Sequence, residues 1–265
     1  RSTQSSTLFP YTTLFRSITG VLWVRSELRH REPMIDIRLV TRPTVMRTNI
    51  VGLLLGFALW APFALTPLLA QSPRDASFGL GLSATHASVL QLPSSIIMLF
   101  AGPVAGWLDR RIGSRVPLVL GSVLMAVSML YLAARHDSAW DIVLIQIPNG
   151  IGVGFALAAI VNIIIRSVSP EETSVATGVN QISRQVGGAF GAQVIGAVLA
   201  ANLTAQGYPT EAIFVVCCLI DVAAIAACAA ISVTIRPGAD DPPRIRRVTI
   251  GRGGDIKDIR PISAN

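Results

Sequence analysis

Apolar residues along this chain follow neither strict alternation nor a single helical stripe. They gather in long blocks at about 48–70, 84–107, 116–134, 141–165, 174–202 and 212–235. An α-helix needs roughly 20 residues to cross a hydrocarbon layer of about 30 Å. Every block reaches that length, so the pattern predicts an all-α membrane protein, a six-transmembrane-helix bundle. Ile18–Val24 reads as the end of one further span. Between the blocks lie turn formers and charges, such as Ser72-Pro73-Arg74-Asp75, Arg135-His136-Asp137 and Ser169-Pro170-Glu171-Glu172. Within the blocks, Gly52/Gly56, Gly102/Gly106, Gly150/Gly154 and Gly187/Gly191 have the four-residue spacing that lets membrane helices approach closely. Pro62, Pro67, Pro93, Pro103 and Pro148 predict kinks or breaks. Gln146-Ile147-Pro148-Asn149-Gly150 is the candidate for a broken helix whose freed backbone groups face a ligand.

Composition supports the membrane class. Hydrophobic residues make up 51% and charged residues only 14% of the 265, whereas soluble domains carry about 25% charged residues. The mean hydropathy is +0.58. A net charge of +7 would suit nucleic acid if it lay along one solvated face, but the basic residues sit in short segments between apolar blocks, so no nucleic-acid partner is expected. Their distribution sets a topology instead. With residues 25–47 placed in the cytoplasm as a linker and six crossings after them, the cytoplasmic segments hold 17 Lys/Arg and the outer loops hold 2, Arg74 and Arg135. The positive-inside rule then puts both ends on the cytoplasmic side, with residues 236–265 as a basic tail expected to be disordered. Cys217, Cys218 and Cys228 share one apolar block without metal-ligand spacing, and His30, His86 and His136 lie at or beyond block ends. No metal site and no enzyme chemistry are expected. No phosphate-binding glycine loop with its Lys occurs, so no nucleotide cofactor is expected either.

Residues 1–17, RSTQSSTLFPYTTLFRS, match nothing around them and resemble a translated sequencing-adapter remnant. The natural sequence is then expected to continue upstream of Ile18.

Three stretches resemble one family. Glu27-Leu28-Arg29-His30-Arg31-Glu32-Pro33-Met34-Ile35-Asp36-Ile37-Arg38-Leu39 is similar to the linker before the second six-helix half of fourteen-span drug:proton antiporters of the major facilitator superfamily. Gly106-Trp107-Leu108-Asp109-Arg110-Arg111-Ile112-Gly113-Ser114-Arg115 resembles that superfamily's cytoplasmic loop motif, with the acid one position early. On a helix, one position is a rotation of about 100°. Gly178 to Gly191 is similar to the penultimate helix of the same antiporters. The resemblance implies one half of a major facilitator fold in a bacterial inner membrane and alternating access driven by a proton gradient rather than a bound cofactor. It implies efflux of lipophilic small molecules, with lipid, substrate and an N-terminal half as partners. Uptake of a metabolite, or a fragment inactive without that half, are the alternatives. Gly106, Asp109, Arg110, Arg111, Gly113 and Arg115 would form the conformational loop.

Charges inside hydrocarbon are costly, about 2.5–3.5 kcal/mol on insertion scales, and so invite functional readings. Arg184 and Asp221 are the two clear cases. Asn180, Arg184, Gly187 and Gly191 share one helix face, predicted to point inward, with Ile182, Val186 and Phe190 on another. Arg184 either meets a carboxylate, substrate or wet cavity, or it snorkels and caps a neighbouring helix. Asp221 either carries a proton or is paired. Gln91, Gln146, Asn149 and Asn162 are uncharged cavity candidates, with interhelical hydrogen bonding as the alternative.

Overall fold

The computed structural model describes residues 37–74, 78–204 and 207–235, the strand residues 247–250 and 256–260, and the isolated positions 19 and 25. The expected adapter remnant, the end of the preceding span and the motif at 27–36 thus fall outside the described residues, the isolated positions apart. Two units divide the chain at Arg42. The first contributes one short helix, α1 (Ile37–Thr41).

The second unit carries the apolar blocks. Its helices are α2 (Pro43–Gln71), α3 (Ala84–Val89), α4 (Leu92–Ile112), α5 (Arg115–Ala134), α6 (Ala139–Ser167), α7 (Thr173–Ala200) and α8 (Glu211–Thr234). Within the basic tail, strands β1 (Arg247–Ile250) and β2 (Ile256–Arg260) pair antiparallel. Helices α2 and α6 form the inside of the bundle, with 56% and 61% of their apolar windows buried, against 11% for the Ala84–Ile112 stretch. Around them, α2 packs against α7 and α8, α6 packs against α4 and α5, and α5 closes against α8.

Five of the predicted spans have helices long and apolar enough to cross a membrane: α2, the α3–α4 stretch, α5, α6 and α8. The remaining helix, α7, is long enough at 28 residues, but Asn180, Gln181, Arg184, Gln185 and Gln193 dilute its apolar content. Backbone contact holds it in the bundle. A Cβ added to Gly56 would collide with the carbonyl oxygen of Arg184, and one added to Gly187 with that of Leu53. One on Gly191 would come within 2.8 Å of the Phe57 carbonyl oxygen. The face predicted to point inward is therefore the seam that α7 makes with α2.

Of the prolines expected to kink or break helices, Pro93 adjoins a break, while Pro62, Pro67, Pro103 and Pro148 lie inside continuous helices. The segment 146–150 is not a break: α6 runs without interruption through Pro148. It is gripped on both sides there, since a Cβ on Gly150 would lie 2.6 Å from the Ser94 carbonyl oxygen and one on Gly152 would lie 2.6 Å from that of Gly121. Losing the single backbone bond that Pro148 cannot make does not outweigh that packing. The span predicted at 84–107 is instead divided at Leu90–Gln91, where the Leu90 and Gln91 amides turn back to the carbonyls of His86 and Ser88. Pro93 then falls in the first turn of α4, where its missing N–H leaves no intrahelical bond unmade. At the start of α6, Ser138 and Asp141 form a reciprocal capping box, and Tyr131 from the end of α5 donates to the same carboxylate at 3.0 Å. Gly102 and Gly106 differ from the other glycine pairs. Nothing within 4 Å would meet a Cβ at either position.

Candidate functional site

The break between α3 and α4 faces the middle of α2 and α6, and a cavity of about 280 Å³ opens there. Its walls are Leu59, Pro62 and Phe63 from α2, Ser88 and Gln91 from the break, Ser94 and Ser95 from α4, and Gln146 and Asn149 from α6. Gln91 stands at the N-cap position of α4 yet makes no side-chain cap hydrogen bond, so its amide is not consumed by the helix end. Gln146 and Asn149 lie three residues apart and therefore on one face of α6. Both are buried, at 4% and 9% exposure, and the Asn149 Oδ1 has no hydrogen-bond partner. None of the nine lining residues is ionisable. The site therefore offers neutral donors and acceptors above an apolar floor carrying one aromatic ring. Such a surface can orient an uncharged polar group or receive an apolar body.

Three sequence candidates, Gln91, Gln146 and Asn149, are thus brought together; Asn162, half-buried farther along α6, is not in this lining, and three more are placed elsewhere. Asn180 is buried in the α2–α7 seam, where its Nδ2 donates to the Thr48 carbonyl at 2.9 Å and to Asn49 Oδ1 at 3.3 Å. Arg184 lies in the same seam by its backbone, while its half-buried guanidinium donates to Gln181 Oε1. Asp221 is fully buried on the packing face of α8, and neither carboxylate oxygen has a hydrogen-bond partner. Arg184 and Asp221 are therefore not bridged. Ser88, Ser94, Ser95 and Phe63 are site residues that the sequence reading passed over. The Ser94-Ser95 pair, one turn after Gln91 in an otherwise apolar run, was the available signal.

The loop between α4 and α5 forms a second polar cluster. Gly113 sits at φ 86°, a left-handed conformation that favours glycine, and its amide closes α4 onto the Asp109 carbonyl at 2.9 Å. That turn places Ser114 beside Asp109, whose side chain is only 4% exposed and accepts from the Ser114 hydroxyl. Arg166, from the last turn of α6, reaches the other Asp109 oxygen at 2.9 Å. The acid one position early in the loop motif thus ties the ends of α4 and α6 within this half. Arg111 stacks 4.4 Å over Trp107, while Arg110 is exposed.

The sequence profile of the Major Facilitator Superfamily matches residues 48–253. The chain belongs to that superfamily. Its members are membrane transporters rather than enzymes, and the six-helix arrangement is half of their fold. The multidrug resistance protein Stp of Mycobacterium tuberculosis is 28% identical over 189 residues, covering 71% of this chain and 34% of that protein. The methyl viologen resistance protein SmvA of Salmonella typhimurium is 28% identical over 206 residues, covering 72% and 39%. This chain therefore spans between a third and two fifths of the length of these relatives. Among solved structures, a POT family transporter in complex with 5-aminolevulinic acid superposes with a TM-score of 0.61 at 16% identity, over 74% of this chain and 39% of that one. A D-xylose-proton symporter gives 0.56 at 16% identity, over 74% and 48%. At such identities these structures bear on the fold alone.

Proposed function

We propose that this chain supplies the second six-helix half of a proton-coupled exporter of lipophilic or amphipathic small molecules in a bacterial inner membrane. The observation that carries the reading is the cavity between α2, α4 and α6. Its amides and hydroxyls are neutral and few, and its floor of Leu59, Pro62 and Phe63 is apolar, which suits ligands with a large apolar body. The resistance proteins among its relatives lend the direction of transport. Proton coupling needs a titratable group, and the cavity lining has none. In this reading the coupling acid lies in the first half or at Asp221. Both ends of the half face the cytoplasm, as the 17:2 distribution of basic residues supports. The Asp109–Arg166 pair then holds the cytoplasmic ends of α4 and α6 as one moving body.

A half also needs its counterpart. Gly102 and Gly106 face open space on α4, the stretch with the least buried window, and this spacing is the type that seats another membrane helix. In this reading the 265-residue chain by itself does not transport. The discriminating experiment uses the intact transporter in proteoliposomes under an inward proton gradient. Addition of a lipophilic dye should release protons from the binding side and export the dye. Dye movement without proton release would replace antiport with facilitated uptake. Loss of efflux in Arg184→Ala at normal membrane insertion would place Arg184 in the pathway, and unchanged efflux would remove it.

A further inference from the structure

Helices α5 and α8 line no part of the polar cavity. The buried face of α5 carries Leu118, Ser122, Met125 and Met129. Its opposite face, Val116, Val119, Leu120 and Val123, forms with Val233 of α8 a groove of about 610 Å³. From Arg115 to Val123 the groove follows α5 for about 12 Å. Apart from Arg115, every residue in it is apolar. Arg115 stands at the end nearest the α4–α5 loop, and the exposed side chains of Arg110 and Arg111 lie just upstream. The only acid in that loop, Asp109, is buried and committed to Arg166. Among the described residues of this loop, the rim is therefore positive without an exposed carboxylate.

We propose that this groove is a binding site for an anionic phospholipid, with an acyl chain along the valines and the phosphate at Arg115. A guanidinium matches a phosphate in a bidentate geometry. Basic residues at the cytoplasmic mouth of grooves between membrane helices select anionic headgroups. The proposal rests on the membrane placement of the bundle, with only the choice of leaflet depending on the topology above. It does not depend on what the transporter carries.

Native mass spectrometry of the full chain, released from vesicles of phosphatidylcholine with one fifth phosphatidylglycerol, tests it. Resistance to alkaline extraction first establishes insertion; a chain extracted by alkali would defeat the membrane placement itself. In the inserted chain, phosphatidylglycerol should be retained in preference to phosphatidylcholine. Arg115→Gln should reduce that preference about fivefold, the worth of one basic residue near an anionic surface. Arg115→Lys should keep most of it, and Arg135→Gln, an equal charge change at the other end, should leave it intact. Val123→Trp, which fills the groove, should lower retention of both lipids with Arg115 still present. Three results would overturn the proposal: a preference unchanged in Arg115→Gln, phosphatidylglycerol displaced by inorganic phosphate alone, or a dimer of this chain that Val123→Trp dissolves.

Discussion

Arg166→Gln is expected to destabilise the bundle through Asp109 rather than through any contact of its own. The Asp109 side chain is 4% exposed and has two donors, Arg166 at 2.9 Å and the Ser114 hydroxyl. Removing one member of a buried ion pair costs about 3–5 kcal/mol, because the remaining charge stays desolvated. Arg166 is 47% exposed, so water already screens part of the attraction and the expected loss falls to about 1–3 kcal/mol. Asp109→Asn removes the charge but keeps a group that Ser114 can satisfy, and the Arg166 guanidinium can turn to solvent. The double variant should therefore lie within about 1 kcal/mol of the parent. Reversible unfolding in mixed micelles, followed by Trp fluorescence, gives all four corners of the cycle. The coupling energy between the two positions should be at least about 1 kcal/mol. Additive single effects, to within about 0.5 kcal/mol, would refute it.

Other consequences follow from single positions. Gly150→Ala places a Cβ 2.6 Å from the Ser94 carbonyl oxygen and should cost about 1–3 kcal/mol by overpacking, whereas Gly102→Ala, with nothing within 4 Å, should be neutral in the same unfolding assay. Asn180→Leu removes both cross-seam hydrogen bonds to α2 and should cost about 1–2 kcal/mol; a neutral result would mean that the α2–α7 seam is held by its glycines alone. Asp221→Leu removes a buried carboxyl without partners and should stabilise the bundle by about 1–3 kcal/mol. Efflux lost despite that gain would mark Asp221 as part of the proton route, and efflux retained would exclude it.

The architecture was legible because hydrocarbon imposes length and apolarity, and both can be read from one sequence. The six blocks became the helices of the bundle, and the glycine spacings at Gly56, Gly150, Gly187 and Gly191 became backbone contacts. Interior features depended on partners that a linear pattern does not name. Pro148 looked like a break, yet α6 runs through it because α4 and α5 grip it there. A polar stripe on a membrane helix must face something other than lipid: Asn180 meets α2, whereas the Arg184 guanidinium turns along its own helix to Gln181. Asp109 found Arg166, 57 residues away, and no local rule links them. The cavity was half legible: Gln91, Gln146 and Asn149 stood out as amides in apolar blocks, whereas Phe63 was one apolar residue among many.

The proposed function requires the substrate to bind in the cavity between α2, α4 and α6. Efflux of a lipophilic dye by the intact transporter, measured for Gln146→Leu and Asn149→Leu beside the exposed Asn202→Leu, tests it most directly. Loss of one buried hydrogen-bonding group costs about 1.4 kcal/mol, or tenfold. Each cavity variant should show at least a tenfold fall in efflux at normal membrane levels, with Asn202→Leu unchanged. Undiminished efflux in both cavity variants would contradict binding there.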